Sequence, residues 1–302
     1  MLSQYYKVHL EMLLKLHQAT PAPVAFILAG CLPLQAQLHL KMLSIFGQLS
    51  RLRAGDNILA VWANNFYSSA TSNPKSWFGS VRKLCLQYRL PHPSEWLSYQ
   101  PSKTQVKRIT KSAVLQFWLE KLRNQAATLP SLRYLRTEYL GLTTCHAIFW
   151  TCGSSPWELE KATTQARFLS GRYRVESLSG HWVPWNRDCM CTLPGCWRTK
   201  RAHKGTLESL LLSCPSLSTT RHSLLKFQSN FFLSHPDLLP LVMECVLDDP
   251  VQFWVDCSTL PAVIRSVQKS GSSVLCKLFK LTRNYCHSVH KKRVMLLSDQ
   301  SE

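Results

Sequence analysis

Residues 151–174 read TCGSSPWELEKATTQARFLSGRYR, the clearest helix pattern of the chain. Ser155 can accept a hydrogen bond from an orphan N–H group, Pro156 suits the first helical position, and Glu158 can reach back to close a capping box. Gly171 supplies a permissive stop. The apolar residues between them recur at helical spacing: Leu159, Ala162, Ala166 and Leu169. The stretch predicts a helix with one apolar face, and the rest of the chain has the pattern of a helical scaffold around it.

Three arginines, Arg167, Arg172 and Arg174, cluster at the end of this predicted helix. Cations in the last turn complement the negative end of the helix dipole, which is a purely structural role. The alternative is a contact with phosphate groups, and on that basis we include all three among the candidate nucleic-acid-binding residues.

The next stretch, residues 181–215, reads HWVPWNRDCMCTLPGCWRTKRAHKGTLESLLLSCP and holds the densest cysteine cluster. Cys191 and Cys196 can form one knuckle around a tetrahedral Zn²⁺ ion. Pro194 and Gly195 between them suit a tight chelate loop.

Cys214 is a candidate third ligand, and the fourth position has two candidates. His203 gives a Cys-x4-Cys-x6-His-x10-Cys spacing, and Cys189 is the alternative. The predicted metal ligands are therefore Cys191, Cys196, Cys214 and His203. Free, partly buried thiols are the competing interpretation, because free cysteine behaves as a small hydrophobe.

Aromatic and basic residues interleave around these thiols: Trp182, Trp185, Arg187, Trp197, Arg198, Lys200, Arg201 and Lys204. Aromatic platforms with nearby cations are what an unpaired nucleic-acid strand needs, with stacking worth about 1–3 kcal/mol per base. Tryptophans buried in the core are the alternative, less so for Trp197, which lies among charges. We predict Trp197, Arg198, Lys200 and Arg201 to bind nucleic acid.

The charge balance points to a polyanionic partner. The chain has 302 residues, 45% of them hydrophobic, so it can bury a real core. Its formal net charge is +19 and its pI is near 9.6. Neutralised phosphates release counterions, which gives binding without sequence specificity. Two basic segments, 103–174 and 257–298, flank an acidic one, 237–256.

Cysteine usage and the apolar runs indicate an intracellular protein with reduced thiols. Twelve cysteines are about 4% of the chain, well below a disulfide scaffold, and the amphipathic start does not resemble a signal peptide. The longest apolar run, Val24 to Leu34, covers about 11 residues and contains Pro33, so it is too short to cross a bilayer. We expect no membrane and no small-molecule substrate.

Residues 102–125 predict the longest helix. Its apolar stripe is predicted at Val106, Ile109, Ala113 and Phe117. Lys103, Lys107 and Lys111 stack on an adjacent face. This face is either a solvated charged surface or a surface that follows phosphates, and the three lysines join the candidate nucleic-acid-binding set.

Other helix patterns fill the chain, and strand alternation is scarce. They cover Tyr5 to Gln18, Leu34 to Leu52, a segment built on Trp77, Val81, Leu84 and Tyr88, the proline-broken stretch Thr220 to Trp254, and two C-terminal patterns separated around Gly271. We predict a mainly α protein, a helical scaffold with a small Cys-rich, zinc-knuckle-like segment.

No residues carry a recognisable catalytic pattern. A polymerase needs carboxylates that converge on two metal ions, and the adjacent pair Asp248–Asp249 is followed by Pro250, which disfavours a strand there. No Walker loop, dinucleotide fingerprint, nucleophile elbow or HExxH motif is present. We predict no catalytic residues and no enzyme activity.

Several runs of sequence together resemble one family. They are GSSPWELEKATTQARFLSGRYR, CTLPGC, GTLESLLLSCPSLS, STLPAVI and LFKLTRNYCHSVHKKR, with TPAPVAFILAGCLPLQAQLHLKMLSIFG and SWFGSVRKLCLQYRLPHP earlier in the chain. The runs resemble the C-terminal, post-polymerase region of the reverse transcriptase of LINE-type non-LTR retrotransposons, chicken-repeat-like group. The resemblance covers nearly the whole chain.

The resemblance implies a helical tail that carries a Cys/Cys/His/Cys zinc knuckle and helps to hold template RNA or target DNA. Cys191, Cys196 and Cys214 match three knuckle ligands. The family histidine lies five positions before the last cysteine, where this chain has Ser209. Serine is a poor zinc ligand, so His203 or Cys189 would have to substitute, and a lost ligand also fits a decayed, truncated copy of an element.

We therefore expect a non-catalytic nucleic-acid-binding fragment with RNA or DNA as partner and zinc as the possible cofactor. The alternative is a helical protein-interaction module, or an inactive relic of a truncated element. The predicted regions are a helical post-thumb-like region at 1–100, a basic helical region at 101–180, the knuckle-like segment at 181–220 and a C-terminal helical region at 221–302.

Overall fold

A computed structural model describes residues 2–52, 75–136, 142, 144–171, 173, 191, 193, 196 and 206–299. Within these ranges the chain forms helices and turns and contains no strand, which confirms the mainly α prediction. The region boundaries stay predictions.

The helices follow one another in chain order. They are α1 (Leu2–Leu13), α2 (Ala22–Ala29), α3 (Leu34–Leu49), α4 (Trp77–Gln87), α5 (Pro93–Tyr99), α6 (Lys103–Ala127), α7 (Ala147–Trp150), α8 (Pro156–Leu169), α9 (Ser218–Ser234), α10 (Leu239–Asp248), α11 (Pro250–Asp256), α12 (Pro261–Ser270) and α13 (Ser273–Ser298). A π-helical turn covers Ser209–Ser213 and a 3₁₀ turn covers Pro215–Leu217.

The first group of helices is built around the contact between α3 and α6. Gly47 allows the close approach, because a Cβ atom at this position would lie 2.5 Å from Cγ1 of Val106. Helices α1 and α2 pack against each other, and α4 packs against α3. Helix α2 is almost entirely inside this group, with Val24, Ala25 and Leu28 fully buried.

The buried stripe of α6 differs from the predicted one. Its buried residues recur every four positions: Val106, Thr110, Val114, Trp118, Leu122 and Ala126. Ile109 is 40% exposed, and Ala113 and Phe117 are half-buried at the edge of the contact. The prediction was wrong by about one position of the helical wheel, because Thr110 buries its hydroxyl by donating to the carbonyl of Val106 at 2.7 Å.

The second group of helices packs around α13, which contacts α8, α9, α11 and α12. The predicted helix at 151–174 is confirmed as α8. Ser155 accepts from the N–H of Glu158, and the helix ends before Gly171, which has a φ of +63°. A Cβ atom at Gly171 would lie 2.3 Å from the carbonyl oxygen of Ser131, so a side chain does not fit there.

Glu158 serves the packing of α8 on α13 and does not close a capping box. Its carboxylate accepts from Lys161 at 2.7 Å and from Arg283 at 3.2 Å. Burial acts to raise the pKa of Glu158, but Lys161 and Arg283 outweigh it and hold the pKa below its usual value. Arg283 itself is only 1% exposed, and it also donates to Thr151 and to the carbonyl of Ile148.

Two hydrogen bonds show how the groups are joined. The N–H of His146 donates to the carbonyl of Leu28 in α2 at 2.9 Å. The side-chain amide of Gln252 in α11 donates to the carbonyl of Tyr134 at 3.0 Å, and Gln252 is fully buried. Residues far apart in the sequence therefore share one core.

None of the described helices is by itself long and apolar enough to cross a bilayer. Helices α2 and α3 reach those criteria only as a pair bent by 62°.

Candidate metal centre

The thiols of Cys191, Cys196 and Cys214 converge at one point. The Sγ atom of Cys214 lies 3.9 Å from that of Cys191 and 3.3 Å from that of Cys196, and all three sulfurs lie within 4.8 Å of one another. All three residues are buried, at 8%, 1% and 0% exposure in chain order. Sulfurs bound at about 2.3 Å around a tetrahedral Zn²⁺ lie about 3.8 Å apart, so this spacing suits a metal ion.

Local backbone structure positions Cys214. The chain enters it through the π-helical turn, where the N–H of Cys214 donates to the carbonyl of Ser209 at 2.7 Å. The carbonyl of Cys214 accepts from Arg221 at 2.6 Å and from the N–H of Leu217 at 3.1 Å. Single π-helical turns are uncommon and are frequent at functional sites.

The two other cysteines are held by shorter turns. The N–H of Cys196 donates to the carbonyl of Leu193 at 3.1 Å, which closes a turn between the two cysteines of the predicted knuckle. The thiol of Cys196 also lies 3.2 Å from the hydroxyl of Ser216. Leu193 is 1% exposed, so the turn is anchored in the core rather than lying on the surface.

Hydrogen bonding within the cluster separates the acidities of two thiols. The contact between the sulfurs of Cys214 and Cys191 lowers the pKa of Cys191 below its ordinary value. The same contact, together with burial, raises the pKa of Cys214. Of these two sulfurs, Cys191 is the one that more readily becomes a thiolate, the form that binds metal.

Ser209, at the position where the resemblance predicts a histidine, lies one π-helical turn before Cys214. Its hydroxyl oxygen is buried and has no hydrogen-bond partner among the described residues, although its N–H donates to Thr206. The two predicted candidates for the fourth ligand, His203 and Cys189, lie outside the described residues. Three buried thiols able to hold a metal ion are thus in place, and the fourth ligand stays a prediction.

The predicted lysine column lies on the surface. Lys103, Lys107 and Lys111 are all exposed on α6, each one helical turn from the next. They leave a line of cations open to solvent, which both the solvated-face and the phosphate-binding interpretations require.

Arg167 has a structural partner in the fold. It lies in the last turn of α8 and donates to the carbonyl of Lys15 at 3.3 Å. The other predicted nucleic-acid-binding residues lie outside the described residues: Arg172, Arg174, Trp197, Arg198, Lys200 and Arg201.

The Asp248–Asp249 pair does not form a metal site. Asp249 caps α11 by accepting from the N–H of Gln252, and it pairs with Arg136 at 2.8 Å. In the part of the chain that the structure describes, the only group of three or more metal-ligating side chains is the cysteine cluster.

Sequence reasoning missed the residues that support the cluster. Arg221 and Ser216 lie just after Cys214 in the chain, and their polar contacts hold its carbonyl and the thiol of Cys196. The sequence signal for Arg221 was its position seven residues after Cys214. That signal does not show which carbonyl the arginine binds, because the turn at Pro215–Leu217 determines this.

Comparisons of the chain with known protein families, with curated proteins and with solved structures found no match.

Proposed function

We propose that this protein is a non-catalytic nucleic-acid-binding protein in which a zinc ion on Cys191, Cys196 and Cys214 holds a knuckle, as in the tail region of LINE-type reverse transcriptases. One observation carries the proposal: three cysteines separated by up to 23 positions of sequence bring their sulfurs together in a buried cluster. The net charge of +19 supports a nucleic-acid partner.

The chemistry of the donors favours zinc among the common metals. Soft thiolate ligands select zinc, copper(I) or iron–sulfur clusters, whereas calcium and magnesium prefer oxygen. A closed four-coordinate site is the structural form of zinc, so the proposal needs a fourth donor beside the three thiols. The role of the zinc is to fix the local chain, and the phosphate contacts come from the basic residues around it.

The experiment has two independent measurements. Metal content and zinc-dependent thermal stability are measured for the wild type, for Cys196→Ala and for Cys245→Ala, a control cysteine that is equally buried at 1% exposure but lies outside the cluster. We expect zinc to raise the melting temperature of the wild type and of Cys245→Ala, and not that of Cys196→Ala. Zinc stabilisation of all three proteins alike would overturn the metal assignment.

The nucleic-acid part is tested by salt dependence. Affinity for a single-stranded RNA is measured between about 50 and 200 mM salt, where binding through several phosphates must weaken steeply. A protein that binds RNA without a salt dependence, or not at all, contradicts the proposal.

A helical protein-interaction module is the second candidate. It is favoured by an apolar line on α10, where Leu239, Met243 and Leu247 are 43%, 52% and 79% exposed at four-residue spacing. Such a line is the pattern by which one helix contacts another. Absence of RNA binding in the salt experiment would leave this candidate as the better one.

A further inference from the structure

An open groove lies on the side of the molecule formed by α6 and the end of α4. It has a volume of about 1200 Å³. One wall runs along α6 from Arg108 to Thr128, and the other is the turn Gln87–Leu90 that follows α4. None of the cluster cysteines lines it.

The charged residues that line the groove are mostly cations. Arg89, Arg108 and Lys121 line it, against a single acid, Glu120. Among the ion pairs of the described residues, none involves these three cations. The ammonium group of Lys121 lies over the ring of Trp118, 4.5 Å from its centre, which holds this cation at the groove wall.

Arg89 occupies a backbone conformation that favours glycine. Its φ is +53°, and the hydrogen bonds from Arg89 to Leu86 and from Leu90 to Cys85 form a Schellman motif at the end of α4. Glycine is the usual residue at this position, because a Cβ atom costs energy there. An arginine at this point places a cation at the groove despite that cost.

Tyr88, the residue before Arg89, is held by side chains of two neighbouring helices. The hydroxyl of Tyr88 accepts from the indole N–H of Trp118 at 2.9 Å and lies 2.6 Å from Nδ1 of His39. The ring of Tyr88 packs edge-on against Phe117, with ring centres 5.1 Å apart. Contacts with α3 and α6 therefore fix the turn that carries Arg89.

The size of the groove sets the kind of ligand. Arg108 and Lys121 are thirteen residues apart on α6, which is about 20 Å along the helix axis. A single nucleotide or a free phosphate ion cannot reach both cations, whereas a polymer with repeated phosphates can. Between them the wall offers uncharged polar groups, Ser112 and Gln116, and the partly exposed apolar surface of Ile109.

We infer that this groove binds the sugar–phosphate backbone of a single-stranded nucleic acid, with Arg89 and Arg108 as phosphate contacts. The inference rests on the proposed nucleic-acid-binding function and names a surface for it that is separate from the cysteine cluster. A single strand is favoured over a duplex because a concave surface with apolar and polar side chains suits unstacked bases, which a duplex keeps inside.

The test uses Arg89→Gly and its matched control Lys15→Gly. Lys15 is also exposed, has a φ of +50° and lies in the same type of motif, at the end of α1 and outside the groove. Both substitutions remove one positive charge and relieve the same backbone strain, so both variants should fold. Affinity for a single-stranded RNA and for a duplex of the same sequence is measured as a function of salt.

We expect Arg89→Gly to weaken single-strand binding and to lower the magnitude of the salt slope by about 0.7, the value for one lost phosphate contact, while Lys15→Gly changes the slope little. The double change Arg89→Gly with Arg108→Gln should lower it by about 1.4. An equal effect of Arg89→Gly and Lys15→Gly overturns the inference, because then only net charge matters. A larger effect on the duplex also overturns it.

The failure of the proposed function would look different. If the wild type shows no salt-dependent RNA binding, nucleic-acid binding itself is contradicted, and with it this groove assignment. If the wild type binds RNA with the expected salt dependence and the groove variants bind with the same affinity and salt slope, the proposed function stands and the inference about the groove is wrong.

Discussion

The contact between α8 and α13 and the cysteine cluster are both buried, but their polar groups are satisfied in different ways. At Arg283, the guanidinium group donates to a carboxylate, a hydroxyl and two carbonyls from other parts of the chain. In the cluster, three thiols contact mainly one another, and the nearby Ser209 hydroxyl has no partner among the described residues. The α8–α13 contact supplies its own hydrogen-bond partners, whereas the cysteine cluster brings together sulfur ligands that suit a metal ion.

The largest expected effect is on the free energy of unfolding, and it tests how much the polar contacts between α8 and α13 contribute to stability. Arg283→Met should destabilise the protein by about 3–5 kcal/mol, because it removes the hydrogen bonds that the buried guanidinium donates to the carbonyls of Ile148 and Thr151 and to Glu158, which keeps only Lys161. The exposed pair of Arg265 and Glu244, with both side chains 58% exposed, provides the control. Arg265→Met should cost about 0–1 kcal/mol. Denaturant unfolding of both variants measures the difference, and equal losses would contradict the comparison.

The second effect concerns the pH range in which this region is stable. Burial, with further contributions from Arg167, His287 and Arg293, lowers the pKa of His290 from 6.5 to about 4. Its Nδ1 lies within hydrogen-bonding distance of the hydroxyl of Tyr173, at 2.9 Å. A lowered histidine pKa stabilises the fold above pH 6.5, and this contribution is lost as the pH falls toward 4.

His290→Asn removes this titration, so the variant should lose less stability between pH 7 and pH 4.5 than the wild type. The difference is expected to be about 1–3 kcal/mol, from 1.36 kcal/mol per unit of pKa shift. Thermal unfolding at several pH values measures it. His222→Asn, a change at an exposed histidine of α9, is the control and should follow the wild type. Parallel curves for all three proteins would contradict the assignment.

A third change tests the other region of the comparison, the cysteine cluster. Ser209→His introduces a nitrogen ligand one π-helical turn before Cys214, where the resemblance predicts a histidine, and it should raise zinc affinity by about 10–100-fold. Competition with a zinc chelator measures the affinity. Equal, tight binding by both proteins would mean that His203 or Cys189 already completes the site. Ser213→His, four residues further along the π-helical turn, is the control and should leave affinity unchanged.

The smallest effect is expected at the surface of α6. Replacing Lys103, Lys107 and Lys111 together with glutamine should leave stability almost unchanged, since all three are exposed. It should weaken RNA binding about equally for different sequences, because phosphate contacts position a ligand without specifying it. Unchanged affinity at low salt would show that the column is only a solvated face.

Helix positions followed from local sequence more reliably than helix faces did. Proline, serine and glycine mark the ends of α8, and Gly271 separates α12 from α13 as predicted. These signals act within a few residues, so no tertiary contact is needed to find them. The buried stripe of α6 was misplaced because Thr110 is polar in sequence but bonds its own helix, and only the neighbour α3 decides which face is covered.

In the candidate metal site, too, one part followed from local sequence and another part from the tertiary structure. The spacing of Cys191 and Cys196 around Pro194 and Gly195 indicated a knuckle, since a short chelate loop is a local property. The third sulfur lies eighteen residues after Cys196, and its place at the cluster depends on the π-helical turn and on the hydrogen bond from Arg221. The groove at Arg89 gave no sequence signal, because its two walls come from different helices.

By itself the sequence determined the helical class, the charge of +19 and the two ends of α8, because composition and capping act on neighbouring residues. Only the tertiary structure decided which polar groups are buried together. Arg283 meets Glu158 across 125 positions of sequence, and Cys191 meets Cys214 across 23. An unpaired polar group is costly when it is buried. The partner that a residue meets in the folded chain therefore determines whether it stabilises the core, as Arg283 does, or is available to bind a ligand, as the cysteine thiols are.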